Sequence, residues 1–193
     1  MAKNRHQTKT VHRKSSIGVT GWIKTALVTL LLSCALAVTS CKTRPPAPVE
    51  NSTNAYGWTL DNNRRAKLAD YKGKVVVLDF YATWCEPCRV ETPHLIQMQQ
   101  QYGEQGLQVI GLNVGGEDDR DQVPGYAKEL GIQYPLGFPD DELVDAYLTT
   151  NQNIPQAFVF DRTGRLVKRF VGYNENMGRE LEHVVQATLA AGD

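Results

Sequence analysis

The feature that most restricts the fold is a continuous apolar run at residues 74–82, KVVVLDFYA, which leads directly into a helical pattern. The run is rich in β-branched and aromatic side chains, and such runs are typical of a strand buried on both faces. Beyond it, apolar side chains recur at intervals of three and four, at Val90, Leu95, Met98 and Tyr102. A buried strand followed by a helix predicts an α/β domain with a central parallel strand.

The segments around this unit predict a mixed central sheet flanked by helices. Two short extended stretches within residues 58–68 lie on either side of a turn-rich Asp-Asn-Asn, which predicts an N-terminal β-hairpin extension. Further patterns predict a strand at 107–114, helices at 119–131 and 141–147, a hairpin at 157–171 and a closing helix at 174–191. One compact domain, residues 56–193, accommodates all of these elements.

The first 40 residues differ in charge from the rest of the chain. They contain six of the 21 Lys and Arg residues, and no Asp or Glu occurs before Glu50. An uncharged, Leu- and Val-rich run at residues 25–41 follows the basic segment, and this order is typical of a signal sequence. The positive flank predicts that the chain beyond residue 41 lies on the extracytoplasmic (periplasmic) side, where disulfides persist.

The end of the apolar run resembles the lipobox of bacterial lipoproteins. Small residues precede a cysteine in VTSC, and the resemblance implies that Cys41 is lipidated. An uncleaved signal anchor is the alternative, because the run is at the lower limit of about 17–25 residues needed to span a bilayer. We therefore expect a signal peptide or signal anchor at residues 1–40, a proline-containing tether at residues 41–55, and attachment to the cell membrane.

The charge of the remaining chain bears on its partners. Beyond residue 40 it carries 15 basic and 21 acidic side chains. This acidic balance argues against a surface that binds nucleic acid. We expect no nucleic-acid partner.

Two cysteines, Cys85 and Cys88, stand where the predicted strand passes into the predicted helix. Their spacing places them in one helical turn, close enough for the Cα separation of about 4.4–6.8 Å that a disulfide requires. The helix N-terminus stabilises a thiolate, which predicts Cys85 as the attacking sulfur and Cys88 as the resolving one. Pro87 stiffens the first turn, whereas the carboxylate of Glu86 opposes thiolate formation and biases the pair toward a reductant.

The segment WCEPCRVETP, residues 84–93, resembles the active site of thioredoxin-fold proteins, most closely the TlpA/ResA group of tethered reductases. The resemblance extends over nearly the whole domain, through VVVLDFYATWC, VIGLNVGGE and the Ile-Pro pair before AFVFDRTGRLV. It implies a thioredoxin-like fold and a thiol-disulfide oxidoreductase that reduces disulfides in exported proteins, with apocytochrome c as one candidate substrate. It also implies a membrane electron donor as partner and no cofactor besides the dithiol, which carries both electrons.

The resemblance assigns roles to further residues. Pro93 corresponds to the proline that kinks the active-site helix, and Pro155 to a cis-proline that faces the disulfide. Ile154 would then offer its backbone to a substrate strand. The other substrate contacts implied by the family's active-site segment are Trp84, Glu86 and Pro87.

Two positions depart from the family pattern. ResA-like proteins carry an acid directly after NVG, whereas this chain has Gly116 there and Glu117 one residue later. A role for Glu117 at the site is therefore in doubt. Many relatives have Thr after the cis-proline, and the residue here is Gln156, from which we expect an altered substrate fit.

Asp79 is the only charged residue in the predicted buried strand and lies six positions before Cys85. A carboxyl group in apolar surroundings tends to keep its proton, because its ionised form loses hydration. Asp79 also matches the buried acid of thioredoxin, which implies a proton shuttle for Cys88. A structural Asp held by hydrogen bonds is the alternative.

Three other functions for the cysteine pair remain open. The first is a structural disulfide or a metal site. Zinc or copper is disfavoured because no second ligand pair accompanies the cysteines, and His94 and His183 stand alone, so we predict no metal. A peroxiredoxin-type peroxidase shares the fold, but it attacks with a cysteine in a Thr-rich loop rather than a CxxC pair. A noncatalytic binding module on the same scaffold is the third, since a fold does not determine a function.

Overall fold

The computed structural model of the protein describes residues 56–192. Its strands are β1 (Trp58–Leu60), β2 (Arg65–Ala66), β3 (Val75–Tyr81), β4 (Leu107–Asn113), β5 (Leu136–Pro139), β6 (Gln156–Phe160) and β7 (Leu166–Val171). Its α-helices are α1 (Glu86–Tyr102), α2 (Glu117–Arg120), α3 (Val123–Leu130), α4 (Asp141–Leu148) and α5 (Glu175–Ala190). Short 3-10 helices cover Leu68–Tyr71 and Gly103–Gln105.

The seven strands form one mixed sheet in the order β2-β1-β5-β4-β3-β6-β7. Inside it, β3 is parallel to β4 and antiparallel to β6. At one edge β1 and β2 form an antiparallel pair, and the turn between them places Asn63 in the left-handed region with φ 63°. The expected α/β architecture with an N-terminal hairpin is confirmed.

Alternate residues of β3 enter two separate hydrophobic clusters. Val77 and Tyr81 belong to the cluster that also contains both cysteines and side chains of α1, α3 and α5, and we call this side of the sheet the cysteine face. Leu78 and Phe80 belong to the cluster beneath α4, on what we call the opposite face. Because successive side chains of a strand point to opposite sides, Asp79 lies on the cysteine face.

The helix expected at residues 119–131 is interrupted. It consists of α2, which ends at Arg120, and α3, which begins at Val123. Pro124 suits the first turn of a new helix, where its missing N–H has no partner to lose. The predicted end is correct, since Gly131 terminates α3 in the left-handed conformation with φ 71°.

The strand β5 was not predicted from the sequence. Its four residues, LGFP, contain a glycine and a proline and no β-branched side chain. They become a strand because β1 pairs with them on one side and β4 on the other. A second error concerns Val90, which is 58% exposed rather than part of the buried face of α1.

The predictions about the N-terminal part fall outside the described residues. They include the signal segment at residues 1–40, the lipobox cysteine Cys41 and the tether at residues 41–55. Within residues 56–192, no helix is both long enough and apolar enough to cross a membrane.

Candidate active site

Cys85 and Cys88 form a disulfide at the N-terminus of α1, with their Cα atoms 5.3 Å apart. Cys85 is the residue that caps the helix, and its Sγ accepts a hydrogen bond from the backbone N–H of Cys88 at 3.3 Å. The first N–H groups of a helix have no partner within the helix. The same donor and the positive end of the helix dipole therefore stabilise a negative sulfur at Cys85 once the disulfide is opened.

Both cysteines of the disulfide are largely buried, but exposed residues flank Cys85. Cys85 keeps 4% of its surface accessible and Cys88 only 1%. Trp84 is 67% exposed directly before Cys85, and Glu86 and Pro87 are also exposed. Cys85 is therefore the more accessible of the two cysteines, and the residues on either side of it in the chain are exposed.

The segment before β6 lies at the same end of the sheet as the disulfide. The Ile154–Pro155 peptide bond is cis, and Gln156, which follows it, pairs with Phe80 at the end of β3. Because β3 and β6 are antiparallel, the start of β6 lies next to the residues that lead from β3 to Cys85. Ile154 packs against the cluster that contains both cysteines. Within residues 56–192 its backbone N–H and C=O make no hydrogen bond, so they are free to pair with an extended chain.

Asp79 is buried on the cysteine face, with 2% of its surface exposed. Its Oδ1 has no hydrogen-bond partner in the part of the chain that the structure describes. Burial raises the pKa of Asp79 to about 7, because the ionised carboxylate loses its hydration there. Burial and, after it, the charge of Asp79 raise the pKa values of three tyrosines on the same face, Tyr81, Tyr126 and Tyr134.

A second buried carboxyl group, which the sequence analysis missed, lies on α1. Glu91 is 2% exposed, and no described residue forms a hydrogen bond with its Oε2. Burial and the neighbouring charge of Asp79 raise the pKa of Glu91 well above its usual value. The helical spacing carried a signal, since the buried positions Cys88 and Leu95 place position 91 on the same side of α1. We call Asp79 and Glu91 the carboxyl pair.

A third carboxyl group, on α2, holds the segment that connects β3 to Cys85. Asp119 accepts hydrogen bonds from the Thr83 N–H at 2.9 Å, from the Thr83 hydroxyl and from Asn113 Nδ2 at 2.7 Å. Burial alone would raise the pKa of Asp119, but these hydrogen bonds outweigh it and lower the pKa below its usual value. A side chain at position 115 would collide with this carboxylate, which accounts for Gly115.

The structure clarifies both departures from the family pattern. Glu117 is exposed at the start of α2, and Asp119, two residues later, is the acid that contacts the active-site segment. Gln156 is completely buried, so it does not touch a bound substrate directly. Pro93 is an exposed residue within α1.

Of the four histidines in the sequence, the two within residues 56–192 lie on α1 and α5. The side chain of His94 is only 16% exposed, and its Nε2 lies 3.5 Å from Glu182 Oε2. His183 is exposed on α5. Among the described residues, no three His, Cys, Asp or Glu side chains are grouped so that they could hold a metal ion.

Known proteins share this sequence pattern over most of its length. The sequence model of the AhpC/TSA family matches residues 52–169. The thiol-disulfide oxidoreductase ResA of Bacillus subtilis (strain 168) is 30% identical over 177 residues, which cover 89% of this chain and 96% of that protein. ResA of Geobacillus thermodenitrificans (strain NG80-2) is 31% identical over 124 residues, which cover 63% of this chain and 69% of that protein.

Solved structures agree with the sequence matches. A thiol:disulfide interchange protein of the thioredoxin family from Chlorobium tepidum TLS superimposes with a TM-score of 0.60 and 28% identity, covering 69% of this chain and 92% of that one. A DsbF homologue from Corynebacterium diphtheriae gives a TM-score of 0.58 and 26% identity, covering 68% and 85%. These structures confirm the thioredoxin-like fold. The chain belongs to the AhpC/TSA family, and within it to the ResA-like thiol-disulfide oxidoreductases.

Proposed function

We propose that this oxidoreductase reduces disulfides in exported proteins on the extracytoplasmic side of the cell membrane, through Cys85 and Cys88. The observation that carries the proposal is the disulfide at the start of α1, in which Cys85 is the more exposed of the two cysteines. The basic segment followed by an apolar run supports export and attachment to the membrane. Apocytochrome c is one proposed substrate, because the resemblance to the TlpA/ResA group implies it.

The proposed cycle begins with the reduced enzyme. The thiolate of Cys85 attacks one sulfur of the substrate disulfide, and a mixed disulfide forms while the other substrate sulfur leaves as a thiolate. Cys88 then loses its proton and attacks Cys85 Sγ, which breaks the mixed disulfide and releases the second substrate sulfur. Two electrons have passed to the substrate, and the enzyme ends in the disulfide form described above. A dithiol of the proposed membrane donor restores Cys85 and Cys88 by the reverse exchange.

The carboxyl pair supplies the proposed acceptor for the Cys88 proton. Cys88 is almost inaccessible, so bulk water cannot take this proton directly. With its pKa raised to about 7, Asp79 both accepts and releases a proton near neutral pH, as a proton shuttle must. The alternative of a purely structural Asp79 has less support, because Oδ1 lacks a hydrogen-bond partner among residues 56–192.

The reduction potential of the full-length chain tests the reductase. We expect one two-electron transition near the roughly −270 mV of thioredoxin, measured in dithiothreitol buffers, and its loss in Cys85→Ser. A potential near roughly −120 mV would indicate an oxidant of folding proteins instead. The absence of any reversible transition, or turnover of hydroperoxides without turnover of protein disulfides, would contradict the proposal.

The membrane attachment needs a separate test. If Cys41 is lipidated, Cys41→Ser prevents incorporation of labelled fatty acid and leaves the uncleaved precursor, whereas the matched Cys34→Ser variant is processed normally. Fractionation of cells then shows whether the wild-type chain and the Cys41→Ser variant are found in the membrane fraction. Normal processing of Cys41→Ser would contradict lipidation, and wild-type chain in the soluble fraction would contradict attachment altogether.

A further inference from the structure

The side chain of Gln156 is completely buried immediately after Pro155, and each of its polar atoms is paired. Its Nε2 donates to the backbone carbonyls of Asn151 at 2.7 Å and Asn153 at 2.6 Å. Its Oε1 accepts a hydrogen bond from Arg169 Nε at 2.9 Å. Since only the amide nitrogen donates and only the oxygen accepts, these three partners determine which end of the amide faces the loop.

Arg169 reaches the same loop from β7. It lies opposite Phe158 in the pairing of β6 with β7, and its guanidinium carbon is 5.4 Å from the centre of the Phe158 ring. Beyond its bond to Gln156, it donates to Thr150 Oγ1 at 3.1 Å and to the Asn151 carbonyl at 3.4 Å. Gln156 and Arg169 thus contact three residues of the segment 149–154, which we call the substrate loop.

The other hydrogen bonds of the substrate loop are local: the Asn151 N–H donates to the Leu148 carbonyl at 3.1 Å, and the Asn153 N–H donates to Asn151 Oδ1 at 2.8 Å. The loop connects α4 to β6 and belongs to no strand, and its residues Gln152 and Asn153 are exposed. It ends at Ile154, which packs against the cluster that contains both cysteines and whose backbone groups make no hydrogen bond with other residues of the range 56–192. Gln156 therefore holds the two carbonyls, of Asn151 and Asn153, on the N-terminal side of Ile154, and the Gly172 N–H holds the Pro155 carbonyl on its other side at 2.8 Å.

We propose that Gln156 and Arg169 are positioning residues that hold the substrate loop so that Ile154 presents its backbone to an extended polypeptide, and that they thereby make the enzyme selective for polypeptide disulfides. This inference rests on the proposed function and specifies its substrate class. An ordered loop binds a chain with a smaller loss of conformational entropy than a loose one. A small disulfide without peptide groups gains nothing from this order, because it needs only access to Cys85.

The test compares two substrates of the reduced full-length chain. One is a peptide with a single disulfide, and the other is 2-hydroxyethyl disulfide, which has no peptide group. We expect Gln156→Ala and Arg169→Gln to lower kcat/KM for the peptide mainly through KM. The ratio of the peptide value to the small-disulfide value should fall at least about fivefold, which corresponds to the net worth of about one hydrogen bond.

Two further variants sharpen the comparison. Gln156→Glu has the same shape and keeps the bond to Arg169, but its carboxylate cannot donate to the Asn151 and Asn153 carbonyls, so we expect the same fall in the ratio. Arg165→Gln is the matched control. Arg165 lies near the start of β7, its side chain is 67% exposed and it pairs with Asp161 in the hairpin turn, so its removal should leave the ratio within about twofold of wild type.

An unchanged ratio in Gln156→Glu and Arg169→Gln, with a wild-type enzyme active on both substrates, would overturn the inference. Because the two variants alter different strands, a folding defect in one leaves the other as the test. Amide hydrogen exchange identifies such a defect, since faster exchange should be confined to residues 149–154. A wild-type enzyme that reduces neither substrate would overturn the proposed function instead, and Cys85→Ser shows the background rate for that comparison.

Discussion

The opposite face and the cysteine face of the sheet use the same central strand for different purposes. On the opposite face, the ring of Phe80 packs edge-on against Phe158 with centroids 5.5 Å apart, and Phe158 packs likewise against Tyr147 at 4.9 Å. On the cysteine face, the residue between Leu78 and Phe80 is a buried carboxyl group without a hydrogen-bond partner among residues 56–192. The buried carboxyl group, which opposes stability, therefore lies on the face that carries the disulfide. The aromatic packing on the opposite face of β3 stabilises the fold.

The largest expected effect on stability belongs to the opposite face. Phe80→Ala should lower the free energy of unfolding of the oxidised chain by about 3–5 kcal/mol, because it removes a fully buried ring and leaves a cavity. The reduction potential should stay close to that of wild type. Urea unfolding and equilibration with dithiothreitol measure the two quantities.

Val167→Ala is the control for Phe80→Ala, because Val167 is 44% exposed and its loss should change stability by less than about 0.5 kcal/mol. If the reduction potential changes as much in Phe80→Ala as in a variant of the carboxyl pair, the two faces of the sheet do not have separate roles.

Asp119→Asn should have the next largest effect. The amide can no longer accept from all three donors on Thr83 and Asn113, and hydrogen bonds to a charged group contribute about 1.5–3 kcal/mol. Because the folded pKa of Asp119 is lowered, its stabilisation exists above the unfolded pKa and disappears as pH falls through the folded pKa. The difference from wild type in urea unfolding should therefore be present at pH 7 and small at pH 2.

The neighbouring exposed residue offers a control for this variant. Asp118→Asn should behave like wild type at both pH values, since Asp118 is on the surface. Equal losses at pH 7 and pH 2 in Asp119→Asn would show that its charge does not stabilise the segment before Cys85.

Asp79→Asn should act in the opposite direction. The folded pKa of about 7 exceeds the usual value, so wild-type stability should decrease as pH rises from about 4 to about 7. Ionising this buried group costs about 4 kcal/mol at 1.4 kcal/mol per pKa unit, and a buried amide without partners costs about 1–3 kcal/mol. The variant should therefore be more stable than wild type by about 1–3 kcal/mol at pH 8 but not at pH 4.

Urea unfolding at the two pH values measures this effect, and Glu91→Gln should show the same sign. If Asp79→Asn gains no stability between pH 4 and pH 8 relative to wild type, then Asp79 does not have the raised pKa that proton transfer near neutral pH requires. The same variant should also accumulate the mixed disulfide during turnover, because Cys88 loses its proton more slowly.

The smallest effect on stability is expected at the rim of the disulfide. Trp84→Ala should change the free energy of unfolding by less than about 0.5 kcal/mol, because Trp84 is 67% exposed, and should raise KM for a peptide disulfide. Trp58, fully buried on the opposite face, is the matched tryptophan, and Trp58→Ala should cost about 3–5 kcal/mol. A large stability loss in Trp84→Ala would mean that it supports the fold rather than contacts substrates.

Sequence patterns were sufficient to predict a strand, turn or helix wherever consecutive residues of that element carry the pattern. The continuous apolar run of β3, the turn of the β6–β7 hairpin and the helix that ends at Gly131 were all apparent without the tertiary structure. β5 was not, because the backbone groups of LGFP find partners only when β1 and β4 lie on either side. The break before α3 was missed although Pro124 signals it, since the surrounding charged residues are compatible with one continuous helix.

By itself, the sequence determined that two cysteines one helical turn apart stand where a buried strand becomes a helix. This was possible because that geometry depends on neighbours along the chain. Only the tertiary structure decided that Glu91 joins Asp79, that Asp119 binds Thr83 and that Gln156 binds the substrate loop. Each of these relations joins residues that are distant in sequence, and the loss of hydration that sets their energies depends on everything packed around them.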